Sequence, residues 1–262
     1  AGAAMDWFIV AELRNPEPLL QIRLLAERNF GISMAVLTLF AIGMLGGTYL
    51  LPLYMQRGLG YTALAAGSMF LPVGVIQGVL SAVSGYLTRY VRPLLLSAAG
   101  ILIMALSFWL ASRFTLHTTH GHILFILYLR GFGMGLTFAP LNLFSLKNLT
   151  QQDMAAAAGI SNSIKQLAGS IGIALLTVIF SARTSYHAAH ETVSAAQTYV
   201  EGVTDALRVV AVITLAALLP LLWVFRKKRP GKSGVKGAAT PSPGEAVSGK
   251  TDKTTIYRTK PE

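Results

Sequence analysis

Pro93-Leu94-Leu95-Leu96-Ser97-Ala98-Ala99-Gly100-Ile101-Leu102-Ile103-Met104-Ala105-Leu106-Ser107-Phe108-Trp109-Leu110-Ala111-Ser112 is the stretch whose reading decides the fold. It holds no charged or amide side chain, and a helix of about 20 apolar residues spans the hydrocarbon core of a bilayer. Working outward, comparable stretches lie at 30–56, 63–88, 122–146, 157–182 and 203–225. Numbered in chain order, 93–112 is span three of six. Short polar links join them, which predicts an all-α multi-pass membrane bundle.

Composition agrees. Of 262 residues, 53% are hydrophobic and 13% charged, against about 25% charged in soluble domains. The net charge of +11 is not spread over a face with stacking aromatics, so no nucleic-acid partner is expected. Much of it lies in Arg226-Lys227-Lys228-Arg229 and the basic residues beyond, next to the last span, where such residues meet anionic headgroups. The lipid bilayer is therefore the first partner. With no cysteine, disulfides and thiolate metal sites are excluded. No cofactor is expected.

The links alternate in charge. Arg14, Arg23, Arg28, Arg89, Arg92 and Lys147 share one side with the basic tail, while Arg57, Arg113, Arg183 and Arg208 take the other. The richer side is cytoplasmic by the positive-inside rule, which predicts a cell-membrane protein with a cytoplasmic C-terminus. Residues 1–10 read as the end of an interrupted span, and 11–29 as a cytoplasmic link whose Pro16 and Pro18 precede a short interfacial helix. The bundle occupies 30–225, and 226–262 is a basic tail, polar enough beyond 231 to be disordered. The stretch 183–202 reads as the longest outer loop.

Polarity divides the spans. Spans three and six are bare of amides and read as lipid-facing walls, whereas one, two, four and five carry Thr48, Tyr49, Gln77, Arg130, Asn142, Asn162, Lys165 and Gln166. Polar groups at membrane depth turn toward a bundle interior or wet cavity. Asn162, Lys165, Gln166 and Gly169 share one helix face, a polar wall for substrate, although Lys165 has the alternative of snorkelling to headgroups. Arg130 either attracts an acidic partner outside these spans or snorkels outward. Tyr49, Gln77 and Asn142 complete the cavity candidates, with Tyr54 alternatively an interfacial tyrosine. Gly43/Gly47, Gly74/Gly78, Gly131/Gly135 and Gly169/Gly172 have the spacing that lets helix backbones approach. Pro52, Pro72, Pro140 and Pro220 should kink their spans.

Leu129-Arg130-Gly131-Phe132-Gly133-Met134-Gly135-Leu136-Thr137-Phe138-Ala139-Pro140-Leu141 and Ala155 through Gly172, together with Glu12-Leu13-Arg14 and Arg28-Asn29-Phe30, resemble the C-terminal half of a major facilitator superfamily exporter. The fourteen-helix drug:proton antiporters are the branch they resemble. The resemblance implies that the six spans are helices nine to fourteen, with the first, second, fourth and fifth of the half lining the cavity. It implies a missing N-terminal half as partner, and a small amphipathic substrate exchanged for protons. Where that family often has Gly-x-Leu-x-Asp-Arg, this chain has Gly85-Tyr86-Leu87-Thr88-Arg89-Tyr90, so the acidic contact does not carry over.

Proton coupling needs an ionisable group in the membrane, normally a carboxylate. None occurs between Glu27 and Asp153, and Asp205 reads as lying at the edge of span six. The relay is therefore expected in the missing half, without which this part should not pump. A non-transporting six-helix membrane scaffold or partner subunit is the alternative. His187, His190 and Glu191 form too small a set for a metal site, and His117, His120 and His122 read as solvated loop residues. An intramembrane enzyme ranks last: the chain lacks a Gly-x-Ser-x-Gly elbow and a His-Glu-x-x-His pair.

Overall fold

A computed structural model describes residues 22–147, 149–151, 153–190 and 194–227. Of two compact units, Ala1–Lys228 and Arg229–Glu262, only the first contains described residues. The interrupted span at 1–10, most of the expected link and the tail beyond Lys227 lie outside them; the interfacial helix is described only as a 3₁₀ turn, Ile22–Ala26.

Among the described residues, six helices are long and apolar enough to cross a membrane. Span one is Arg28–Leu53, extended by the wider turn Tyr54–Gly58. Span two is Ala63–Ser68 followed by Leu71–Leu87. Spans three and four are Pro93–Ala111 and His120–Leu146. Span five is Asp153–His190, and span six is Ala195–Ala216 followed by Leu218–Lys227.

Local chemistry sets the boundaries. Glu27 accepts from the amides of Asn29 and Phe30 at 2.7 and 3.3 Å, capping span one. Thr62 and Ser194 cap the next amide-rich ends through Ala65 N and Gln197 N. Gly60, with φ of 71°, makes the turn between spans one and two where an L side chain is disfavoured.

The prolines act unevenly. A proline removes the bond to the carbonyl four residues back. Pro72 and Pro220 do this to Ser68 and Ala216, and these are the residues where the first segments of spans two and six stop. Pro52 and Pro140 lie within unbroken helix.

Two boundaries differ from expectation. The stretch 183–202 is helical on both sides of 191–194, because it holds no proline and many alanines, and Ser194 restarts the helix. Span six therefore begins eight residues earlier than the hydropathy placed it, since Glu201 and Asp205 depress local hydropathy without breaking a helix.

Span one packs against four, five and six; span four packs against two and three; six also meets three and five. Exchanging one with four, two with five and three with six carries the one–five contact onto four–two and one–six onto four–three. Spans one and four thus hold matching central places in the bundle. With no hydrophobic drive between helices in lipid, close approach must come from small residues. A Cβ on Gly172 would stand 2.7 Å from the Ile42 carbonyl oxygen, and one on Gly135 2.9 Å from that of Gln77. Gly131 faces Val73, Gly43 faces Thr214, Gly47 faces the Phe108 ring and Gly169 faces Leu45. Gly74 and Gly78 meet nothing within 4 Å. One reciprocal approach was not legible as a spaced pair: a Cβ on Gly100 or Gly133, which lie on different spans, would stand 2.8–2.9 Å from the other's carbonyl oxygen.

Candidate functional site

A cavity of about 310 Å³ opens between spans one, four and five at the Lys147 end of the bundle. Leu37 and Phe138 form its apolar floor, backed by Phe40, whose ring meets Phe138 edge-on at 5.6 Å. Asn142, Asn162 and Lys165 line its walls with Ser145 and Ser161. The serines are spent locally, Ser145 donating to the Asn142 carbonyl at 2.8 Å and Ser161 to that of Ala157 at 2.7 Å. Among the described residues no side-chain partner engages the two amides or the Lys165 ammonium. They are the polar groups that face the cavity. Two lie on span five one turn apart, and the third comes from span four, so tertiary packing supplies the pairing.

The other candidates are placed elsewhere. Gln166 follows Lys165 but is exposed beside the cavity rather than in its lining. Gln77 is half-buried on span two, and Tyr49 is 41% exposed on span one. Tyr54 is buried, stacks on Phe114 and donates to the Thr115 carbonyl at 2.7 Å.

Among the described residues Arg130 meets no carboxylate. Its side chain is buried between spans, 2% exposed, and donates to the carbonyls of Met44 at 3.0 Å and Gly47 at 3.4 Å. It also contacts the Thr48 hydroxyl, and its guanidinium lies 5.5 Å from the centre of the Phe108 ring. A planar cation with several donors can use carbonyls whose second lone pairs are free, together with a ring face. Arg130 is a pin between spans four and one.

At the opposite end the structure assembles a charged cluster that sequence reading scattered. Asp205 accepts from Arg208 at 2.7 Å, lies 3.2 Å from His187 Nε2 and 3.9 Å from Arg183. Glu201 lies 3.5 Å from His187 Nδ1. The i, i+4 spacing of Glu201 and Asp205 was the available signal; that they face His187 and Arg183 required span five to continue as helix past 182. Among the described residues no group has the ligands for a metal ion. In the Gly85–Tyr90 loop, Arg89 lies 5.4 Å over the Tyr86 ring, and the Tyr86 and Tyr90 hydroxyls are 3.2 Å apart. A cation resting on an aromatic face thus occupies the place of an acidic contact.

The comparisons agree with this architecture. Residues 6–173 match the Major Facilitator Superfamily. The multidrug export protein EmrB of Escherichia coli K12 is 32% identical over 195 residues, covering 74% of this chain and 38% of that protein. The fatty acid resistance protein FarB of Neisseria gonorrhoeae is 29% identical over 187 residues, covering 71% and 37%. The puromycin resistance protein of Streptomyces alboniger is 30% identical over 244 residues, covering 90% and 48%. The chain spans less than half the length of each of these relatives. Six apolar helices and this sequence match lead to one statement: the chain belongs to the major facilitator superfamily.

Proposed function

We propose that this chain is the C-terminal half of a proton-coupled exporter of amphipathic compounds working by alternating access. The observation that carries the reading is the cavity of Asn142, Asn162 and Lys165 over an apolar floor. An apolar wall with a few placed polar groups fits a substrate with one polar end. Lys165 provides a cation for an anionic headgroup, in keeping with the fatty acid resistance that names one relative, beside the multidrug export that names another.

The open faces support a second body. Spans two and five expose Leu71, Val75, Val79 and Val83, and Leu167, Ile171 and Val178. The unopposed Gly74 and Gly78 lie on the same span two. The N-terminal half would dock there and supply the coupling carboxylate, so this half alone is expected not to pump. The Lys147 end is the cytoplasmic one in this reading, giving a C-terminus in the cytoplasm.

Two measurements test the proposal. An immunoblot of native membranes against residues 231–262 should show a band near twice 28.0 kDa. A band at 28.0 kDa would favour the six-helix scaffold instead. Cells expressing the whole gene should export a fluorescent fatty acid, and Lys165→Met should cut that export about tenfold, the loss of roughly one charge-assisted contact. Unchanged export with normal protein levels would remove Lys165 from the site.

A further inference from the structure

The cluster at the His120 end of the bundle borders a second cavity, of about 570 Å³, lined by Ile179, Ala182, Arg183, Asp205, Arg208 and Val209. Its surroundings have a direction. Along span six the residues turned outward run Asp205, Arg208, Val212, Leu215, Leu219 and Leu222, charged at one end and apolar thereafter.

Depth can be read from packing. Gly58, at the end of span one, stands against Val200, with an added Cβ 2.9 Å from its side chain. Asp205 and Arg208 lie five and eight residues further along the helix, about 7.5 and 12 Å inward. An arginine at that depth extends its guanidinium back to the headgroup level.

Asp205 organises the pair. It accepts from Arg208 at 2.7 Å and stands 3.9 Å from Arg183 Nε, so one carboxylate holds two guanidiniums beside the cavity. Both arginine side chains remain more than half exposed, at 56% and 58%. The cavity lining therefore holds two cations against one anion. Arginine is suited to phosphate because its planar fork binds two oxygens at once. A phosphate at the level of the guanidiniums, with hydrocarbon continuing toward the bilayer centre, matches both the charge and the direction of this groove.

We propose that the groove between spans five and six binds an anionic phospholipid. Its phosphate is held by Arg183 and Arg208, and an acyl chain lies along Val212 and Leu215 of span six. This assignment concerns the outer surface of the bundle and is independent of the substrate cavity at the other end.

The test uses the full 262-residue chain in non-ionic detergent, with native mass spectrometry reading retained phosphatidylglycerol against phosphatidylcholine. Wild type should retain phosphatidylglycerol in preference, and R183Q/R208Q should retain about tenfold less. R183K/R208K, which keeps the charge, should hold the lipid better than the glutamine variant. Circular dichroism establishes that each variant is folded. Equal retention of the two lipids, or a helical glutamine variant that retains as much as wild type, overturns the proposal. So does stabilisation by inorganic phosphate alone equal to that by the lipid, which would assign the arginines to a free anion.

Discussion

Arg130 on span four donates to the main-chain carbonyl of Met44 on span one at 3.0 Å, joining the two central helices of the bundle through a cation that faces no carboxylate among the described residues. The arrangement stabilises through donor geometry and destabilises through desolvation of the charge. A substitution that keeps one and loses the other separates the two effects.

Arg130→Lys keeps the charge but loses the fork that reaches Met44, Gly47 and Thr48 together, and should cost about 1.5–3 kcal/mol. Arg130→Met removes the buried charge along with its bonds, and should lie within about 1 kcal/mol of wild type because those two effects offset. Thermal unfolding in detergent reads both. Lysine as the milder replacement would show that charge, not geometry, is what span one recognises.

Gly133→Ala should destabilise by about 1–3 kcal/mol, since its Cβ would sit 2.8 Å from the Met104 amide nitrogen and backbone cannot retreat as a side chain can. Gly78→Ala meets nothing within 4 Å and should leave the chain as stable or up to about 1 kcal/mol more stable by helix propensity. Unfolding midpoints for the two variants give the comparison. In the whole transporter, Gly78→Leu should reduce export at normal expression if the other half docks on span two; unaltered export would place that face against lipid.

Pro220→Ala restores an amide able to reach the Ala216 carbonyl, where span six now divides. Hydrogen exchange should show residue 220 protected and the amides around Ala217 slowed. An exchange pattern unchanged on either side of 217 would mean that packing, rather than the proline, interrupts the helix.

Asp205→Asn should change stability by no more than about 1 kcal/mol, because its arginine partners are over half exposed and solvent screens such pairs. A loss of several kcal/mol in chemical unfolding would show that the bonds to His187 hold spans five and six together.

Membrane insertion and helix number were legible from single stretches such as 93–112, because the bilayer imposes a length and an apolar composition on each helix separately. The same locality explains the breaks at Ser68 and Ala216, each four residues before a proline. Span six was misplaced at its start because hydropathy registers Glu201 and Asp205 as loop-like, whereas helix propensity does not.

The site was legible only in part. Asn162 and Lys165 share a face by helical periodicity, so their pairing is a property of one segment. That Asn142 joins them while Gln166 stands aside depends on how spans four and five are each set against span one, and no local pattern contains it. Arg130 was recognisable as costly at its depth, but its partners are main-chain carbonyls of Met44 and Gly47, which every sequence possesses and none advertises. The sequence alone determined that six helices cross the membrane and where their polar groups lie along the chain. The tertiary structure decided which of those groups face a cavity and which lock helices together, because that choice rests on how closely Gly100, Gly133, Gly135 and Gly172 let the backbones approach.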